Sequence, residues 1–241
     1  MKHKFRFTDL LIIKVERSYT YGNKEVHMCV SVRPRIREHW SKNPAVSCHF
    51  CPNILSRDRF LSILRNFHIS DNSLAKRKEE TGYDPLHKVR SLLDNECANF
   101  QHAYTTSRKI TIDEGVCKFR GRVYFKQCMP QKPNKYGMKL YMLSESDTGY
   151  FWNFSVYAGE RSDIVNLVKT LFANLSGKGY TLFTDRFYTS PILASELETA
   201  KTALVGTTRK SRQGLPRAIK DLNLQRGELI FRRKGNMSTL C

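Results

Sequence analysis

Asp113 and Asp185 are the residues of this chain best suited to chemistry. The first lies in Ile110-Thr111-Ile112-Asp113-Glu114-Gly115 and the second in Tyr180-Thr181-Leu182-Phe183-Thr184-Asp185-Arg186. Each follows a run of apolar and β-branched residues that reads as a strand. Carboxylates brought together in this way hold divalent cations through hard oxygen ligands. Two such ions about 3.5–4 Å apart drive phosphoryl transfer on nucleic acid, one activating the attacking oxygen and the other stabilising the leaving one. Two Mg²⁺ carry more positive charge than a pair of aspartates can balance, so a third acid is needed. The sequence offers weak candidates. Side chains alternate along a strand, so Glu114 should leave from the face opposite Asp113. Glu145, Asp147 and Glu160 fall on a hairpin turn or in loops. The metal site, Asp113 and Asp185, is therefore expected to be catalytically incomplete.

The elements that must position this pair can be read from periodicity. Strands are expected over 109–114, 136–143, 150–157, 180–184 and 202–207, with residues 115–135 as a basic, aromatic-rich loop. Asp147-Thr148-Gly149 is a hairpin turn signal between the second and third strands. A helix capped by Ser162 and closed by Gly177 precedes the fourth strand, and a helix over 191–200 precedes the fifth. The fold class is thus α/β, a mixed sheet in the order β-β-β-α-β-α-β, which is that of a ribonuclease-H-like core. In such a core the first and fourth strands lie side by side, and that adjacency is what joins Asp113 to Asp185. The third acid and the last helix are missing from the pattern, so the core reads as truncated.

A helical domain precedes it. Residues 34–43 suggest a short helix or turn. Ser56 caps a helix that sets Phe60, Ile63, Leu64 and Phe67 on one face. A second helix is expected from Asp84-Pro85 to about Asn99, with Val89, Leu92, Leu93 and Glu96 or Cys97 as its stripe. The expected organisation is a poorly ordered N-terminus over 1–31, a helical segment over 32–106, the core over 107–210 and a further segment over 211–241.

Charge names the partner class. Lys and Arg number 41 against 22 Asp and Glu, a net charge of +19 over 241 residues, which favours a polyanion. From Gly115 to Ser144 there is no acid, while Lys118, Arg120, Arg122, Lys126, Lys132, Lys135 and Lys139 interleave with Phe119, Tyr124, Phe125 and Tyr136. Such a stretch suits phosphate contacts and base stacking; the alternative is a solvated hairpin with packed aromatics. Arg186 beside the second aspartate, and Arg209, Lys210 and Arg212 in the second acid-free stretch, extend the candidate DNA-binding set. The seven cysteines are odd in number and irregularly spaced, unlike a disulfide framework. Cys48-His49-Phe50-Cys51 is half of a zinc site, and with Cys97, Cys117 and Cys128 singly spaced no zinc site is expected. The apolar run Leu10–Ile13 is too short for a signal peptide or a membrane span, so no membrane role is expected.

The chain resembles the piggyBac-type transposases, a family of DDE recombinases whose relatives include transposable element-derived host proteins. The matching motifs are Pro34-Arg35-Ile36-Arg37-Glu38-His39-Trp40, the helix from Ser56 followed by His68-Ile69-Ser70-Asp71-Asn72, and Asp84–Val89. Downstream they are Ile112–Gly115, Phe119–Arg122, Met129–Gly137, Thr184–Ser190 and Leu204–Thr207. The resemblance implies that Asp113 and Asp185 are the first two catalytic aspartates, binding Mg²⁺ or Mn²⁺ for DNA strand transfer. It implies DNA as partner, at terminal repeats and TTAA targets, a homodimer formed through the helical segment, and a nuclear location, for which Arg209–Arg212 and Arg232–Lys234 are candidate basic signals. Residues from about Ser211 would begin the family's insertion domain, after which the third aspartate is expected, followed by a cysteine-rich zinc module. The expected function is a transposase-derived DNA-binding domain that does not complete catalysis. The alternatives are a fragment of an active transposase and a decayed element without function.

Overall fold

The structure, a computed structural model, describes residue 28 and residues 31–119, 121–130, 132, 135–159 and 163–240. The expectation of a poorly ordered stretch over 1–31 falls almost wholly outside the described residues. The chain divides into two compact units, 1–96 and 97–241. The division falls inside a helix, Arg90–Ala103.

The first unit is helical. A 3₁₀ turn, Ile36–Trp40, is followed by α1, Phe50–Ile54, and α2, Arg57–Arg65. The Ser56 side chain accepts from the Arg59 N–H and caps α2 as its position predicts. Of the four apolar side chains expected on one face of α2, Phe60 is fully buried, whereas Leu64 and Phe67 are 39% and 40% exposed. Trp40 packs on Phe60, ring centroids 5.2 Å apart, and its indole N–H donates to the Leu55 carbonyl at 2.8 Å. The next helix, α3, covers Arg90–Ala103 and not Asp84–Asn99. Residues 84–90 instead make consecutive turns, in which His87 N–H bonds to Asp84 O and Val89 N–H to Leu86 O. Asp84 is drawn into them because its carboxylate accepts the Leu86 N–H and the Arg90 guanidinium, both in the 2.8–2.9 Å range. That local bonding competes with helix formation.

The second unit is built on a six-stranded mixed sheet. Its strands are β1 (Lys109–Lys118), β2 (Gln127–Cys128), β3 (Tyr136–Glu145), β4 (Phe151–Val156), β5 (Thr181–Thr184) and β6 (Ala203–Gly206). The order is β2-β3-β1-β5-β6, with β4 also paired to β3. β1 runs antiparallel to β3 and parallel to β5, and β5 runs parallel to β6. Helix α4, Ile164–Phe172, connects β4 to β5, and α5, Pro191–Thr199, connects β5 to β6. β1 is longer than its composition suggested. Its ladder with β3 continues to Lys118↔Gly137, so residues 115–118 are strand because a partner is present, and the Met142 side chain fills the space a Cβ on Gly115 would need. Gly137 is needed at the far end, since a Cβ there would meet the Cys117 carbonyl.

Alternation gives the sheet its buried face. Ile110 and Ile112 of β1, Tyr141 and Leu143 of β3 and Leu182 of β5 share one face under Leu167, Val168, Leu171 and Phe172 of α4 and Leu193 and Leu197 of α5. Each such side chain contributes roughly 1.5–3 kcal/mol on burial. Asp163, rather than Ser162, caps α4, its carboxylate accepting the Val165 N–H at 3.0 Å; Ser162 itself lies outside the described residues. Ser190 caps α5 and Pro191 opens it, a favoured combination. Beyond the sheet, α6, Arg217–Lys220, leads to a separate hairpin of β7, Phe231–Lys234, and β8, Met237–Leu240.

Candidate metal and nucleic-acid site

The parallel register of β1 and β5 runs from Lys109↔Thr181 to Ile112↔Thr184. The next residues on the two strands are Asp113 and Asp185. Neighbouring strands stand about 4.8 Å apart, so the two residues follow directly on the last paired positions of adjacent strands, and both are exposed. The Asp113 carboxylate accepts the N–H of Glu114 at 2.7 Å, and its other oxygen lies 4.0 Å from Lys132 Nζ. Lys132 also donates to the Glu114 carbonyl at 2.9 Å, which seats its charge over β1.

Asp185 opens the turn that leaves β5. Its carboxylate accepts the Phe187 N–H at 2.8 Å, and its carbonyl accepts from Tyr188 and Thr189. The turn is clamped from behind. The Arg212 guanidinium donates to the carbonyls of Arg186 and Phe187, and the Thr184 and Thr189 hydroxyls bond to each other at 2.8 Å. Gly206 on β6 leaves room for this arrangement, because a Cβ there would meet Thr184 O and Thr189 Oγ1.

Glu114 leaves β1 from the core side, as alternation requires, and its carboxylate lies 3.4 Å from the Tyr188 hydroxyl, which donates to it. Tyr188 is 1% exposed and sits edge-on to Tyr141 and Phe187. Burial first, and then the charges of Glu114, Tyr141, Asp113 and Asp185, hold its phenol protonated far above the ordinary range. The charges of all three acids thus bear on one buried ring, although Glu114 and Asp113 leave β1 from opposite faces.

The other candidate third acids are elsewhere. Glu145 pairs with Ile110 in the register, not with Asp113. It is 2% exposed and accepts from the Thr148 hydroxyl, from Ser107 N–H at 2.6 Å and from the Tyr104 hydroxyl at 2.8 Å. These bonds, Thr148 first, hold its carboxyl down at about 2. Glu145 is a tie between the residues after α3 and the β3–β4 hairpin. Asp147 is in the hairpin turn, and Glu160 lies outside the described residues. Among the described residues, no third ligand clusters with Asp113 and Asp185. The one cluster of three His, Cys, Asp or Glu groups among them is His39, Cys48 and Cys51. Sequence reading found the two cysteines but missed His39, for which ligand spacing alone is no signal.

The basic residues separate into two sets. Lys118, Arg122, Lys126 and Lys135 are exposed around the end of the β1–β3 ladder, Lys126 also donating to the Gly121 carbonyl at 3.4 Å, and Arg186 and Arg209 are exposed further along the chain. Other cations are engaged by the protein. Lys139 lies 4.8 Å from the Tyr141 ring centroid and 4.9 Å from that of Phe187. Lys210 donates to the Leu222 carbonyl, and Arg212 holds the Asp185 turn. Arg120 lies outside the described residues.

Residues 25–241 match the family profile described as Transposase IS4, and the chain belongs to that family. Within it, the domain is of the piggyBac transposase type. The human PiggyBac transposable element-derived protein 2 is 29% identical over 190 residues, covering 74% of this chain and 31% of that protein. The human PiggyBac transposable element-derived protein 3 is 24% identical over 223 residues, covering 86% and 36%. This chain therefore spans about a third of the length of these relatives. In a cryo-EM structure of the piggyBac transposase synaptic complex with hairpin DNA, a chain aligns with a TM-score of 0.66 and 30% identity, covering 79% of this chain and 41% of that one. No helix among the described residues is long and apolar enough to cross a membrane.

Proposed function

We propose that this chain is a piggyBac-type transposase-derived domain that binds DNA in the nucleus, with Asp113 and Asp185 as its metal-holding pair on a ribonuclease-H-like core. The observation that carries the reading is the β1–β5 register, whose last pair, Ile112↔Thr184, immediately precedes the two aspartates. The strand order supports it: read from β4, the sequence β4-β3-β1-β5-β6 keeps the first long strand beside the strand that follows the first crossover helix.

Two exposed carboxylates of this kind fit Mg²⁺ or Mn²⁺, which take oxygen ligands and keep several waters. Bound there, the cation would supply Lewis-acid stabilisation of a phosphate and activation of the attacking oxygen. The protein's own part is positional. Arg212 and the Thr184–Thr189 pair hold the Asp185 turn, while Lys132 offsets the charge of Asp113 and stands ready for a phosphate oxygen. Lys118, Arg122, Lys126, Lys135, Arg186 and Arg209 would contact the DNA backbone. With no third ligand clustered among the described residues, these residues bind DNA and metal without completing strand transfer at TTAA targets. The helical unit would contribute dimerisation, and residues from about 211 the start of an insertion domain.

The test is Mn²⁺ titration in the presence of duplex DNA, paired with a nicking and joining assay. Metal binding that is lost in Asp113→Ala and in Asp185→Ala, with no joining by the chain itself, is the expected result. Binding unchanged in both variants would refute the site, and metal-dependent joining at TTAA would refute its incompleteness. The second reading, a portion of a longer active transposase, is favoured by the coverage of 31% and 36% of the human relatives. A longer product whose additional acid restores joining decides for it.

A further inference from the structure

The first unit holds a cluster unrelated to the aspartate pair. His39 comes from the 3₁₀ turn Ile36–Trp40, Cys51 from α1, and Cys48 from the residues just before α1. One ligand atom of each lies within 4.8 Å of the others. All three residues are buried, at 2%, 8% and 0% exposure for His39, Cys48 and Cys51. We propose that His39, Cys48 and Cys51 form a zinc site that staples the start of the helical unit.

The chemistry is that of a soft or borderline cation. Two thiolates and an imidazole select Zn²⁺, whereas Mg²⁺ and Mn²⁺ prefer the carboxylates of the other unit. Cys48 and Cys51 have the two-residue spacing of zinc chelates, and a Cys₂His set with one open position holds zinc in known proteins. In a tetrahedral site with Zn–S of about 2.3 Å and Zn–N of about 2.0 Å, ligand atoms stand roughly 3.5–3.8 Å apart. The observed cluster closes onto such a geometry with side-chain adjustments of about an ångström or less. His39 Nδ1 is buried, as a ligand nitrogen would be.

The position also explains what a metal would do there. The 3₁₀ turn and α1 have five residues each, far below the length at which a helix is stable alone. Trp40, through its bond to Leu55 and its contact with Phe60, is one tie between them. A zinc ion would be a second, and its binding energy would become folding energy for this part of the chain. None of this rests on the Asp113 and Asp185 reading.

The experiment uses the whole 241-residue protein, purified without chelator and dialysed. We expect about one zinc per chain by elemental analysis, and after exchange to Co²⁺ the charge-transfer bands of thiolate ligation. Cys51→Ser and His39→Gln should each weaken zinc binding by at least about tenfold. Because these variants could unfold, alkylation footprinting of the unmutated chain supplies an independent readout. Zinc should protect Cys48 and Cys51, chelator should reverse the protection, and exposed Cys128 should react equally in both states. A protein that retains no zinc, or one in which Cys48 and Cys51 react equally with and without it, overturns the proposal.

Discussion

Replacing Lys118, Arg122 and Lys135 together by alanine should change how DNA binding responds to salt more than it changes anything else about the protein. All three residues are exposed. Lys118 pairs with Gly137 across the β1–β3 ladder, so Lys118 and Lys135 occupy the same end of the sheet, with Arg122 in the connection between them. Each phosphate neutralised on duplex DNA contributes about 0.9 to the slope of log K against log salt. Loss of three contacts should therefore flatten that slope by about 2.7. Over a fourfold rise in salt, the unmodified chain should then lose about 40-fold more affinity than the triple variant. Fluorescence anisotropy with a short labelled duplex at several salt concentrations measures this. Arg212→Ala is the comparison: its guanidinium is already committed to the carbonyls of Arg186 and Phe187, so its slope should match that of the unmodified chain. A triple variant with an unchanged slope would refute the assignment of this end of the sheet to DNA, whatever its absolute affinity.

Two further outcomes concern the scaffold. Glu145 has a folded value of about 2 against an ordinary 4.5; its depressed value means that its stabilising contribution is complete above 4.5 and is lost as pH falls toward 2. Thermal melts across that window should show Glu145→Gln with a weaker acid dependence than the unmodified chain; parallel curves would count against the tie to Thr148, Ser107 and Tyr104. Gly206→Ala should destabilise the second unit by about 1–3 kcal/mol, since the added methyl meets Thr184 O and Thr189 Oγ1. It should also weaken Mn²⁺ binding through displacement of Asp185; urea unfolding and metal titration that both match the unmodified chain would contradict the packing described.

Much of the second unit is legible in the sequence. Strands and helices there obey clean periodicities, and the two caps at Asp163 and Ser190 lie at or next to positions that composition marks. The differences have local causes. Residues 115–118 read as loop because Gly115 and the following residues have no strand signature of their own; β3 makes them strand by pairing with them. Asp84-Pro85 reads as a helix start, but the Asp84 carboxylate binds Leu86 and Arg90 and delays the helix to Arg90. In α2, periodicity predicts an apolar face without saying how much of it is covered, and only Phe60 is fully buried.

The candidate site divides along the same line. The residue types, their places at strand ends and the excess of positive charge are sequence properties, and from them Asp113, Asp185 and a polyanionic partner are nominated. Local sequence carries no information about which cations the protein itself consumes. Arg212 and Lys135 look equivalent in the chain, yet one holds the turn after Asp185 and the other faces solvent. Nor does it tell that Glu145, a candidate acid by residue type, is spent on Thr148, Ser107 and Tyr104. The grouping of His39 with Cys48 and Cys51 is likewise a tertiary fact, because it depends on how a 3₁₀ turn and a short helix pack. Pairing on neighbouring strands follows from periodicity and chain order, whereas the engagement of individual polar groups depends on contacts between residues distant in sequence, and only the folded chain decides those.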